Sequence, residues 1–333
     1  MNGMPFRGWK KAVAAGCAGA AIAAAAPPDA ARAQPYPARP VTMVIPFAPG
    51  GGTDIVGRLM ANRMSQGLGV SVVVSNVAGA SGNIGTQSVA SAPPDGYRIL
   101  FTSSTHAMNA AIHANLPFDA VRDFAPISRI AESLNVIVVH PSLGVSTLAG
   151  LIELAKKSPG KLNYGSGGVG TNSHMPAELL RSLTGIDITH IPYKGAAPLL
   201  LAMLGGEVQI GIASLPTSLP HIRSGALRAL AVTTLRRSSV LPEVPTAHEA
   251  GVSGYEYSVW FGLLAPAGTR PEIVNRLREQ AVAALGAPDI QERLKADGAE
   301  PVGSTPAEFA AYLKTEIAKW VQVVKKAGIK STD

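Results

Sequence analysis

Cysteine is nearly missing from this 333-residue chain: Cys17 is the only one, and it lies in an Ala-rich N-terminal stretch. The remainder can therefore form no disulfide, and it offers no thiol as nucleophile or metal ligand. Charge is also scarce, at 15% of residues against 47% hydrophobic. Lys and Arg are scattered rather than gathered into runs, which excludes the basic face of a nucleic-acid partner. After residue 33 no apolar run is long enough for a transmembrane helix. No H-E-x-x-H, G-x-S-x-G or Lys-Ser/Thr-terminated P-loop is present, so zinc-peptidase, serine-hydrolase and phosphate-loop chemistry lack their residues.

What is present starts at the N-terminus. Arg7, Lys10 and Lys11 precede the apolar run Ala12–Ala26, and Ala31-Arg32-Ala33 gives a small-residue cleavage site before Gln34. This order predicts a secretory signal peptide over 1–33. "VAAGC" offers a lipoprotein site at Cys17 as the alternative, although the apolar run before it is short for that. Removing residues 1–33, with four basic residues and one acidic, lowers the formal net charge from +7 to +4. A mildly basic surface of that kind suits an anionic small molecule.

Short apolar runs alternate with helical periodicity along the rest of the chain. "VTMVIPF" (41–47), "VSVVVSNV" (70–77), "YRILFTSS" (97–104), "LNVIVVH" (134–140) and "ITHIPY" (188–193) read as strands, with helices near 147–160, 172–184, 196–205, 271–285, 288–297 and 306–327. Repeated βα units predict α/β layers. The C-terminal helices lack strands of their own, so they must pack on a sheet built earlier. That predicts two lobes: 34–138 plus 261–333, and 139–260. "VIVVHPS" and "SVWFGLL" would then be two hinge strands about which the lobes close.

Three glycine-rich corners follow predicted strands. Gly50-Gly51-Gly52-Thr53-Asp54 joins the first strand to a helix; ligands sit at such strand ends, and glycine lets backbone N–H groups reach an anion. A tight turn alone would ask for one or two glycines. "NVAGASGN" repeats the pattern with Ala80 and Ser81, and "NYGSGGVGTNSH" does so again with Ser166, Gly167, Gly170, Thr171 and His174. Ser103 and Ser104 end a further strand, while Tyr193, Lys194 and Gly195 close "THIPYKG". For Asp54 two readings stand: it stabilises the helix N-terminus, or it meets an ammonium group on an amino-acid ligand. Trp260 and Phe47 are expected in packing roles, Phe47 as cleft wall or lobe core.

At these residues the chain resembles a known family. "YPARPVTMVIPFAPGGGTDIVGR", "NVAGASGNIGT", "PPDGYRIL", "YGSGGVGTNSHMPAELL", "HIPYKGAAPLL", "EVPTAHEAG" and "WFGLLAPAGTRPEIV" resemble the Bug receptors, the periplasmic solute-binding components of tripartite tricarboxylate transporters. The resemblance implies a two-lobed Venus-flytrap fold, each lobe a sheet flanked by helices. It also implies a small anionic organic solute in the cleft, a membrane permease as partner, a periplasmic location and no cofactor. Carried over by position, it points to Gly51, Gly52, Thr53 and Asp54 in one lobe. In the other it points to Ser166, Gly167, Gly170, Thr171 and His174, with Tyr193 and Lys194 beside them. Such a protein is expected to act as a monomer, open without ligand and closed around it. Two rivals belong to other classes. "GSGGVG" satisfies the dinucleotide fingerprint G-x-G-x-x-G, although Asp187 precedes the next strand instead of ending it; and a receptor reporting to a membrane sensor would have the same pocket chemistry.

Overall fold

The computed structural model describes residues 36–296 and 298–329. The signal-peptide and Cys17 expectations lie outside the described residues. Among those residues, no helix is long and apolar enough to cross a membrane.

The chain opens with β1 (Val41–Ile45), α1 (Gly52–Leu68), β2 (Val72–Asn76), α2 (Asn83–Ala90), β3 (Arg98–Ser103), α3 (Thr105–Ile112) and β4 (Phe124–Ser133). A second series follows: β5 (Asn135–Val139), α4 (Leu148–Lys157), β6 (Asn163–Ser166), α5 (Met175–Thr184), β7 (Thr189–Pro192), α6 (Ala196–Leu204), β8 (Ile210–Ser214), α7 (Leu215–Arg223) and β9 (Arg228–Val232). The last part holds β10 (Val259–Pro266), α8 (Pro271–Leu285), α9 (Pro288–Ala296), β11 (Ala299–Pro301) and α10 (Pro306–Ala327).

These strands form two sheets, ordered β11-β4-β10-β3-β1-β2 and β7-β6-β8-β5-β9. In the first, β1 lies parallel between β2 and β3, while β10 runs antiparallel to β3 and β4. In the second, β6 lies parallel between β7 and β8, and β5 runs antiparallel to β8 and β9. Both sheets thus carry a parallel βα core, whose strand ends and helix starts share one edge, plus an inserted antiparallel strand.

The passage between sheets differs from the sequence expectation. It falls at Leu134 rather than near 138, because Asn135–Val139 pairs in register with both β8 and β9. Asn135 is also tied to Thr233, its N–H reaching Oγ1 at 3.0 Å and its carbonyl accepting from the Thr233 N–H at 3.0 Å. The return is complete by Val259, since all of β10 pairs within the first sheet. Each expected hinge strand therefore belongs to a single sheet. β4 has no counterpart in the sequence reading, yet it pairs with both β10 and β11.

α1 packs against α8, whereas α10 lies across α3 and β4. Thr305 caps α10 through a reciprocal box with Glu308, and Gly328 in the left-handed region ends it, which fixes where this long helix starts and stops. On its inner face Phe309 and Trp320 are fully buried. Phe309 fits because residue 262 is glycine; a Cβ there would lie 2.3 Å from the Phe309 ring. Burying such a side chain stabilises by about 1.5–3 kcal/mol. Trp260 meets Phe309 edge-on at 5.4 Å and is fully buried, so it belongs to this core. The second lobe has its own core around Tyr164, Leu151, Ile212 and Tyr255.

Candidate functional site

A cavity of about 490 Å³ lies where the parallel strand ends of the two lobes face each other. From the first lobe it is lined by Phe47, Gly51, Gly52, Thr53, Ala80, Ser81 and Ser103. From the second it is lined by Gly167, Thr171, Tyr193, Lys194, Ala196 and Ser214, among others. Ten of the fifteen residues singled out from sequence meet here.

Gly51 occupies the N-cap of α1 in an extended conformation, and no side chain caps the helix. The N–H of Ile55 is the first to find an acceptor inside the helix, at Gly51. The amides before it project from a positive dipole end. Beside this corner the chain is strained. Ala80 (φ 45) and Ser81 (φ 53) adopt the left-handed region despite carrying Cβ atoms, at a cost of order 1–3 kcal/mol each. Asn109 holds the turn by donating through Nδ2 to the Ser81 carbonyl (2.9 Å) and to Asn83 Oδ1 (2.8 Å). Ser103 adds a further polar group. The residue lines the cavity, and its fully buried hydroxyl finds no hydrogen-bond partner among the described residues. A buried orphan hydroxyl is costly, about 1–3 kcal/mol, unless something else bonds to it.

The second lobe presents different groups from those expected. α6 starts at Gly195 with no side-chain cap and brings Ala196 to the cavity, next to exposed Lys194. Ser214 and Thr217, joined Oγ to Oγ1 at 2.8 Å, add hydroxyls at the start of α7. Ala196 and Ser214–Thr217 escaped the sequence reading. The only signal was Gly195 directly after Tyr193-Lys194. The lobes touch at these points: a Cβ on Gly51 would lie 3.5 Å from Ala196 Cβ, and one on Gly52 3.0 Å from Ser214 Oγ.

Five expected residues lie off the cavity. Asp54 is buried beneath the α1 corner and accepts from the Gly50 N–H (3.0 Å), Arg58 Nε (3.0 Å) and Asn76 Nδ2 (2.8 Å). Burial alone would raise its pKa; those bonds, with Arg58 foremost, outweigh burial and hold it below the ordinary value. Its acceptors are spent on the loop, which leaves none for an ammonium ligand. Ser104 bonds to the Tyr257 hydroxyl at 2.8 Å. Ser166 is occupied by His190 Nε2 (2.6 Å) and by the Gly168 backbone. His174 lies against His190, ring centroids 4.3 Å apart, with Nδ1 accepting from the Gly170 N–H. Gly170 is thereby consumed too, and its positive φ serves the turn (φ 78). Although Gly167 lines the cavity, its N–H already donates to Ser173 Oγ at 2.9 Å. The G-x-G-x-x-G loop therefore has little free backbone for a pyrophosphate.

Two α/β lobes meeting around a polar-edged cavity define a class, the two-lobed solute-binding proteins. Residues 56–329 match the tripartite tricarboxylate transporter family receptor. Protein BugT of Bordetella pertussis is 39% identical over 300 residues, covering 90% of this chain and 92% of BugT. Rpa4515 of R. palustris, solved with adipate, is 41% identical with a TM-score of 0.86, covering 89% of this chain and 99% of that one. MatC from Rhodopseudomonas palustris, solved with bound malate, is 32% identical with a TM-score of 0.83, over 87% and 100%. The structure of periplasmic binding protein BugD overlays with a TM-score of 0.85 at 36% identity, over 89% and 99%. The chain belongs to the tripartite tricarboxylate transporter receptor family, also called the Bug family. Its members are periplasmic solute-binding receptors and not enzymes, so the dinucleotide-enzyme reading is set aside.

Proposed function

We propose that this receptor captures a small organic carboxylate between its lobes, in the periplasm, and delivers it as a monomer to the membrane permease of a tripartite tricarboxylate transporter. One observation carries the reading: the uncapped N-termini of α1 and α6 converge on one cavity from opposite lobes. Their positive ends repel at close range unless an anion sits between them. The carboxylate is held by the amides of Gly52 and Thr53, by those of Ala80 and Ser81, and by Ser103 Oγ. Thr171, Tyr193, Lys194 and the Ala196 amide complete the site. Ligand favours the closed form because only there do both lobes touch it. On this reading lobe one comprises 36–133 with 259–329, and lobe two lies between Leu134 and Ser258. Adipate in Rpa4515 and malate in MatC support a carboxylate as the ligand class.

A thermal-shift screen of mono-, di- and tricarboxylates, amino acids and aromatic acids tests the class. The expected result is a raised melting temperature with at least one carboxylate. A flat response across all of them would remove the reading.

A further inference from the structure

Among the described residues no acidic side chain lines the cavity; apart from Lys194, its polar side chains are hydroxyls and one carboxamide, that of Asn172. Asp54 and Glu207 stay off the lining: Asp54 is spent on three donors, and Glu207 is engaged with the Tyr193 hydroxyl. An ammonium group on a ligand would lose its water here with no counter-charge to replace it, beside helix ends that are themselves positive.

Asn172 differs from the hydroxyls on either side of it. Thr171 Oγ1 donates to the Gly168 carbonyl (2.7 Å), and Ser173 Oγ accepts from the Gly167 N–H (2.9 Å), so both bond within the loop. The Asn172 carboxamide makes no hydrogen bond among the described residues, while its main chain is held on two sides. Its N–H reaches Thr105 Oγ1 in the first lobe at 3.3 Å, and its carbonyl accepts from Asn135 Nδ2, just past the crossover, at 2.7 Å. Those two bonds fix the point from which the side chain starts. Thr105 opens α3 two residues after Ser103, so Asn172 joins the cavity at the end where Ser103 lies. A carboxamide both donates and accepts, which matches a hydroxyl and gives an ammonium only one neutral oxygen.

We propose that Asn172 determines the specificity of this receptor by reading a hydroxyl on the carbon beside the bound carboxylate, so that the ligand is a 2-hydroxy acid in preference to the 2-amino acid or the unsubstituted acid. The proposal rests on the carboxylate reading above and deepens it. The carboxylate lies near Ser103, and the hydroxyl next to it meets the free amide of Asn172.

Three trios of acids differ only at that carbon, which carries hydrogen, hydroxyl or ammonium: propionate, lactate and alanine; succinate, malate and aspartate; glutarate, 2-hydroxyglutarate and glutamate. Isothermal titration of the protein with each compares them at fixed chain length. In the trio that fits, the hydroxy acid is expected to bind about threefold or more tighter than the unsubstituted acid. It should exceed the amino acid by about tenfold or more. Asn172→Leu removes the amide without touching the two main-chain bonds, and it should bring the hydroxy acid down to the unsubstituted one; the ligand-free melting temperature checks that the variant folds. Asn172→Asp should shift the balance toward the amino acid. An amino acid that binds as tightly as its hydroxy counterpart, or a hydroxyl preference that survives Asn172→Leu, overturns the assignment and leaves the carboxylate reading standing. If no member of any trio binds while another carboxylate raises the melting temperature, this proposal alone falls. If no carboxylate of any type binds, both fall.

Discussion

Ser103 and Asp54 show how two polar residues at neighbouring strand ends divide their duties. Ser103 lines the cavity, and its hydroxyl is buried without a partner among the described residues; the Asp54 carboxylate is buried with three donors and faces the loop. Ser103→Ala should weaken carboxylate binding by about three- to tenfold, the worth of one hydrogen bond near 0.5–1.5 kcal/mol. It should leave the ligand-free melting temperature unchanged or higher, because an unsatisfied group is lost. Calorimetry on the variant measures both. Asp54→Asn should behave oppositely, destabilising the fold by about 1–3 kcal/mol through the loss of charge-assisted bonds. Its effect on amino and non-amino carboxylates should be equal, which titration of glutamate beside glutarate measures. Sequence could name both residues but could not tell these roles apart, since each is a small polar residue at a strand end. Only the count of partners separates them.

At the scale of elements, the glycine corners were legible and their use was only partly so. Gly51 and Gly52 do leave helix amides bare, but Gly52 also leaves room for Ser214, whose Oγ would lie 3.0 Å from a Cβ there. That second use involves a partner more than 140 residues away, beyond the reach of local pattern. Gly52→Ala should cost at least fivefold in affinity by wedging against Ser214, and adding Ser214→Gly should restore most of it. A double-mutant cycle by titration decides this. β4 was missed because "FAPISRIAES" contains Pro126, Arg129 and Glu132 and lacks the apolar alternation of a strand. The crossover was misplaced because "LNVIVVH" reads as one apolar run; pairing with β8 and β9 alone shows where it starts.

The corner between β6 and α5 was read as free backbone, and it proved to be closed by Ser166, Ser173 and His174. Here the structure implies a pH dependence. Burial pushes His174 and His190 down to about 4, His174 also through its neighbour His190. Imidazoles held neutral in the fold take up protons on unfolding, so their contribution is complete above the ordinary value of 6.5 and is lost as pH falls toward 4. The melting temperature should drop across that window. His174→Asn, which keeps an acceptor near Nδ1 for the Gly170 N–H, should flatten the profile.

For the whole molecule, the chain passes between the two sheets at Leu134 and again near Ser258, and on the proposed reading the lobes turn there as bodies. The described conformation has the lobes in contact at the cavity edge. Two helix N-termini of like sign facing each other oppose that contact in the absence of an anion. Ligand-free protein in solution should therefore have a larger radius of gyration than the liganded form, which small-angle scattering with and without a bound acid measures. Identical profiles would remove the anion's role in closure.

Peptide N–H groups from both lobes are the proposed anion trap, and a pair of ligands differing only in charge tests that most directly. Titration of a bound carboxylic acid and its primary amide, at the same pH and salt, compares near-identical shapes with and without the negative charge. The account predicts that the acid binds and the amide is weaker by a hundredfold or more. Equal affinity for the two would contradict it.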